Sequence, residues 1–229
     1  MMTHRNRRTP QLNLYINNNK IKQVNFFKYL GVKIDERLLW NEHIKSVESK
    51  ISQACGATAR LRHFVDQRCL RTLYFGHAYS HLQYSLLAWG CTLKKRLNRL
   101  NVLHNRLIRL MALHGPLREF NFNNNEIYKS LELLNIEELY KLELAKFMHR
   151  AVNNSLPTTL INHFYRPSRT NMRSTSTDPF IVNAANRAAY RNWITTSGIN
   201  LWGNIDSSLK QLPYQLFKNK YKQKLLRSY

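Results

Sequence analysis

Acidic residues are scarce: 13 Asp and Glu face 36 Lys and Arg in 229 residues, a formal net charge of +23. A surplus of that size repels itself in a compact state, so a polyanion that neutralises it is expected, nucleic acid first. Glycine is scarce too, at 7 residues, which argues against cofactor folds built on Gly-rich turns. Cysteine is limited to Cys55, Cys69 and Cys91, odd in number and widely spaced. A disulfide framework is therefore not expected, and an intracellular, reducing compartment fits, with nucleus and cytoplasm both open. No apolar run reaches the roughly 18 residues a membrane helix needs, so no membrane partner is expected. Met1 to Pro10 is basic and has no apolar stretch of the kind a secretory signal carries.

What is present suffices for a core, since 43% of the residues are hydrophobic. The sequence predicts a mainly α fold, a bundle-like helical body with a small N-terminal β-hairpin or three-stranded remnant. Leu12, Leu14 and Ile16 alternate with polar residues, Asn17-Asn18-Asn19 supply a turn, and Ile21 to Val24 return as a second strand. The run Phe26 to Ile34 reads as a third strand, with Gly31 marking a bulge or a close backbone approach. From Trp40 the apolar period becomes helical, with Asn41 as the expected N-cap and Ile44, Val47, Ile51 and Ala54 on one face. Asp66 caps a second predicted helix running to Trp89, with Gly90 as its C-cap. A third covers Leu93 to about Leu113. Further helices are expected over Glu126 to Leu134 and Glu137 to Val152, shorter apolar elements around Ile194 to Leu201, and a terminal helix in the tail, Leu209 to Tyr229.

The charge is concentrated. Acids are absent from Gln67 to Arg118, where nine basic residues lie. At about 100° per residue, Leu97, Leu100, Leu103, Leu107 and Met111 gather on one side of the third helix. Lys95, Arg99, Arg106 and Arg109 fall within an arc of roughly 80° on the other. Such a helix can pack one face on the core and lay the other along a phosphate backbone; a solvated basic face with no partner is the competing reading. In the tail, Lys210, Lys218, Lys220, Lys222, Lys224 and Arg227 interleave with Tyr214, Phe217, Tyr221 and Tyr229. The aromatics there suit stacking on bases, but the i, i+4, i+8 spacing of Phe217, Tyr221 and Leu225 favours simple docking on the body.

Chemistry is harder to find. His77 and His81 have a metal-ligand spacing on one predicted helix, but Cys69 and Cys91 are not in close pairs and no zinc signature matches. Two-metal phosphoryl transfer needs converging carboxylates, and Asp35, Glu36, Asp66, Asp178 and Asp206 are scattered, with Glu137 and Glu138 on one helix turn. Neither a catalytic set nor a metal set is expected.

The residues also resemble a known family. Phe27-Lys28-Tyr29-Leu30-Gly31-Val32-Lys33-Ile34-Asp35, followed by Leu38, Trp40 and His43-Ile44, is similar to a K-Y-L-G-V-x-I-D…L-x-W-x-x-H-I segment. Tyr84, Trp89-Gly90 and Leu103-His104-Asn105-Arg106-Leu107-Ile108-Arg109 resemble an L-Q-N-R-x-I-R helix, with His104 in the place of glutamine. Asn171-Met172-Arg173 is similar to the end of H-x-Y-N-T-R, Ser197-Gly198 with Trp202-Gly203-Asn204-Ile205 to G…W-N-x-L-P, and Phe217-Lys218, Tyr221-Lys222 and Tyr229 to a closing F-K…L-K. In this order they resemble the C-terminal region of reverse transcriptases from non-LTR retrotransposons of the jockey-like LINE type.

That resemblance implies a division into a β remnant of the polymerase palm over 1–39, a thumb-like basic helical domain over 40–120, and a mainly helical C-terminal region over 121–229 with a polar loop at 166–179. It implies a fragment without the catalytic aspartates. The parent enzyme would use Mg, and this chain alone would be inactive and hold no cofactor. The implied partners are RNA or an RNA–DNA hybrid and the missing palm. Expected nucleic-acid contacts are Lys94, Lys95, Arg96, Arg99, Arg106, Arg109, Arg169, Arg173, Lys218 and Lys222. A non-enzymatic host nucleic-acid-binding module of the same ancestry, or an inert gene fragment, are the alternatives.

Overall fold

The structure is a computed structural model and describes residues 13–92, 94–112, 123–162, 164, 180 and 194–229. It is mainly α with a small N-terminal β region, as the sequence predicts. The helices are α1 Asn41–Leu61, α2 Gln67–Tyr74, α3 Ser80–Gln83, α4 Leu86–Trp89, α5 Lys94–Ala112, α6 Asn124–Ser130, α7 Ile136–Val152, α8 Thr158–Ile161, α9 Ile194–Gly203, α10 Ser207–Lys210 and α11 Tyr214–Arg227. None of them is long and apolar enough to cross a membrane.

Among the described residues the strands form two separate antiparallel hairpins and no three-stranded sheet. The first pairs β1 Tyr15–Ile16 with β2 Asn19–Lys20. Its turn residues Asn17 and Asn18 have φ of 48° and 62°, the left-handed conformation asparagine tolerates. The return strand thus falls earlier than Ile21 to Val24, although Ile21 N still donates to Leu14 O at 2.8 Å. The second pairs β3 Phe26–Tyr29 with β4 Val32–Asp35. The run read as one bulged strand therefore folds back on itself. Tyr29 faces Val32, leaving Leu30 (φ 45°) and Gly31 (φ 82°) as a two-residue turn, which needs positive φ at both positions. Gly31 is a turn residue, not a bulge.

Contacts divide the chain into two compact units, Met1–Ser85 with Thr92–Met111, and Leu86–Cys91 with Ala112–Tyr229. In the first unit, α1 buries Ile44, Val47, Ile51 and Ala54, the face its period predicts. Asn41 is not its cap. Trp40 occupies that position at φ 63° without a side-chain cap, and Asn41 begins the helix. The approach is shaped instead by Asp35, whose Oδ1 accepts from Leu39 N at 2.8 Å. Buried His43 ties α1 to β4 by accepting from Lys33 N at 3.5 Å.

Asp66 does cap α2, accepting from Cys69 N at 2.8 Å. The single helix expected to Trp89 is broken, however. A π-helical turn, Phe75–Tyr79, follows α2, and α3 ends at Tyr84, which is extended (ψ 120°), before Ser85 at φ 52°. The Tyr84 hydroxyl donates to Leu30 O in the hairpin turn, and its ring lies where a Cβ on Gly31 would meet Cε1 at 3.5 Å. A contact 54 residues away in sequence thus accompanies the break in the helix.

In the second unit α7 is the central element, with α4, α9 and α11 packed on it. Gly90 is not a left-handed cap, since Gly31 is the glycine with positive φ among the described residues. A Cβ on Gly90 would stand 2.6 Å from Leu86 O and 2.7 Å from Tyr140 Cδ2, so its role is close approach to α7. Asn123 and Glu126 form a reciprocal capping box at α6, and Asn135 caps α7 by accepting from Glu138 N at 2.8 Å. The α11 face of Phe217, Tyr221 and Leu225 is buried, so docking accounts for that spacing, and Phe217 and Tyr221 offer no open ring for a base. Phe217 stacks on His149 at 4.6 Å, and His149 Nε2 meets Leu212 O at 2.9 Å. The carbonyl can only accept, so Nε2 carries the proton there.

Candidate nucleic-acid interface

The interface begins with α5. Leu97, Leu100, Leu107, Ile108 and Met111 are buried and Leu103 is half-buried. His104 shares the buried face, where its Nε2 lies 3.0 Å from the Tyr74 hydroxyl and the two rings stack at 15°. Burial holds its pKa down at about 3. On the other face Lys94, Lys95, Arg99, Arg106 and Arg109 are exposed. Arg96 departs from this set: it is half-buried, and its Nη1 is enclosed without a hydrogen-bond partner.

An acid from a neighbouring helix reaches this face. Glu48 of α1 meets Arg99 Nε at 3.6 Å, with the arginine side chain 81% exposed and the glutamate 11%. A pair so open on the cation side leaves most of the guanidinium in water. Beneath it Cys55 Sγ donates to Leu103 O at 3.5 Å, and burial raises its thiol pKa against the pull of Arg106. The thiol is therefore held protonated and packs as a small apolar group.

Lys218 and Lys222 are half-buried on α11 in the second unit. Arg169 and Arg173 lie outside the described residues, as does the polar loop at 166–179. One feature went unread in the sequence: the turn between α1 and α2 carries exposed His63 and Phe64, with exposed Arg60 in the last turn of α1 and exposed Arg68 in the first turn of α2. Its signal was an aromatic side chain inside a basic run, with arginines at i−4 and i+4.

The carboxylates are engaged elsewhere. Asp35 and Asp66 accept backbone N–H groups, Glu138 and Glu143 pair with Lys141 and Lys146, and Asp206 pairs with Lys224 at 2.7 Å. Asp178 lies outside the described residues. Among the described residues no three His, Cys, Asp or Glu side chains gather as metal ligands, so His77 and His81 do not converge with Cys69 and Cys91. The described residues thus do not fit a catalytic magnesium, and no chemical step is assigned to them.

No family model matches the chain, and no solved structure matches it. A probable RNA-directed DNA polymerase from transposon BS of Drosophila melanogaster is 26% identical over 129 residues, 54% of this chain and 14% of that protein. This partial similarity supports an origin of the chain in a transposon reverse transcriptase.

Proposed function

We propose that the chain is the C-terminal, post-palm portion of a non-LTR retrotransposon RNA-directed DNA polymerase, and that it grips RNA or a template–primer duplex along α5. The observation that carries this reading is the division of α5 into a buried leucine face and an exposed cationic one. Lys95, Arg99, Arg106 and Arg109 contact phosphates, the helix being fixed from behind by Leu100, Leu107 and Met111. Such binding releases counterions and reads no bases, so it is weakly sequence-specific and strongly salt-dependent. The palm is the second partner. Tyr15, Ile16, Phe26, Phe27 and Tyr29 of the two hairpins are exposed and are the surface it would cover. Polymerisation belongs to the palm, and the chain by itself, given magnesium, extends no primer.

A filter-binding titration against salt tests the interface. If six phosphates are neutralised on a duplex, the log–log slope is about −5. Replacing the four α5 cations by glutamine brings the slope roughly 3 to 4 closer to zero. A flat salt response of the unaltered chain, or an unchanged slope in the variant, would remove the interface.

A further inference from the structure

Phe64 is the most exposed large hydrophobic side chain among the described residues, at 85%. It is not on a loose loop: Phe64 N donates to Leu61 O at 2.9 Å and Val65 N to the same carbonyl at 3.2 Å. A hydrogen-bonded turn therefore holds the ring in water. Arg60 and Arg68 beside it are exposed, and Arg62 is half-buried. Between residues 49 and 118 the one acid is Asp66. It is engaged as the cap of α2, accepting from Cys69 N at 2.8 Å, so the turn is cationic.

The turn also follows the end of α1 that advances with α5. Glu48 meets Arg99, and further along α1 Cys55 meets Leu103, so the two helices advance in the same direction. From those contacts α1 runs about 9 Å on to its end at Leu61, and α5 advances about the same distance from Leu103 to Arg109, before the turn that carries Phe64 begins. A backbone followed along α5 thus leads towards Phe64. An exposed ring flanked by cations suits the two parts of an unpaired nucleotide, since its base has a π-face and its phosphates are anionic.

We propose that Phe64, flanked by Arg60, Arg62 and Arg68, is a stacking platform for an unpaired nucleobase, so that this end of the first unit receives a single-stranded stretch of the bound nucleic acid. This rests on the α5 reading and adds the class of ligand, single strand as distinct from duplex. Stacking is sequence-tolerant, in keeping with the absence of base reading along α5.

The test uses the full chain and two short probes of equal length, a single-stranded RNA carrying 2-aminopurine and a blunt RNA duplex, followed by fluorescence. Phe64→Ala weakens the single strand by roughly 5- to 150-fold, abolishes the 2-aminopurine quenching, and leaves duplex affinity within about twofold. Phe64→Trp retains both affinity and quenching. Equal loss on the two probes, or quenching that survives Phe64→Ala, overturns the platform while leaving the α5 interface standing. If the unaltered chain binds neither probe, the α5 reading falls and the platform with it. Phosphatidylserine vesicles are the third probe. Sedimentation with them that depends on Phe64, while single-strand affinity does not, assigns the ring to an anionic membrane surface and overturns the proposal.

Discussion

His104 lies on a buried helix face, and its burial has a thermodynamic consequence. Its pKa falls from 6.5 to about 3 because the charged form would lose its hydration inside the unit. The folded chain therefore binds this proton less readily than the unfolded chain does. The stability from keeping the ring neutral is fully present above about 6.5 and is lost as the pH falls towards about 3. Buried His43 acts with the same sign, lowered first by burial and then by Lys33. We expect the melting temperature to drop on acidification across that window, and His104→Gln to flatten the drop. Parallel pH profiles for the two proteins would dissociate the effect from His104. The residue was visible in the sequence as a histidine in place of glutamine, but its near-complete burial was not. A histidine in a mixed helix reads equally as surface or interior until the helix opposite, with Tyr74, is in place.

At the scale of elements, local pattern and tertiary contact decide different things. The apolar periods of α1, α5 and α11 were legible because a helix sorts side chains by covalent geometry alone. Helix interruptions were not. The reading of Asp66 to Trp89 as one helix fails at Tyr84 and Ser85, where the tyrosine reaches the hairpin turn. Gly90 was read as a cap from its place after an apolar run, yet what it provides is room against Leu86 and Tyr140. Two alanine substitutions separate these roles. Gly90→Ala forces a Cβ to 2.6 Å from a backbone oxygen and should destabilise by roughly 1–3 kcal/mol. Gly56→Ala, in α1 with nothing within 4 Å of the added carbon, should stabilise by about 0.5–1 kcal/mol through helix propensity. Urea unfolding of both proteins gives the two signs, and a neutral Gly90→Ala would mean that the second unit relaxes around the methyl group. The tail shows agreement of the two levels. The spacing that predicted docking places Phe217, Tyr221 and Leu225 inward, and Tyr229 then stacks on Tyr128 at 5.8 Å and accepts from Asn135 N at 2.8 Å.

Over the whole molecule, net charge and exposed apolar strands pull against each other. A charge of +23 resists association at low ionic strength, while Ile16, Phe27 and Tyr29 remain exposed on two hairpins whose outer edges carry no further described strand. The proposal of a missing palm makes the hairpins the weak point. We expect the isolated chain, without nucleic acid, to self-associate once salt screens that charge, and Ile16→Lys with Phe27→Lys to reduce the association, as read by light scattering. A monodisperse unaltered chain would show that the hairpins need no cover.

The sequence by itself determined the cationic excess, the mainly helical composition and the two-sided character of α5, because charge is additive and a helical period is a property of neighbouring residues. Tertiary structure decided the rest. It set which arginine meets Glu48, how far Arg96 turns inward, where the helix after Asp66 breaks, and that Phe64 stays in water. Each of these depends on which distant segment fills the space beside a side chain, and that is settled only when the helices pack.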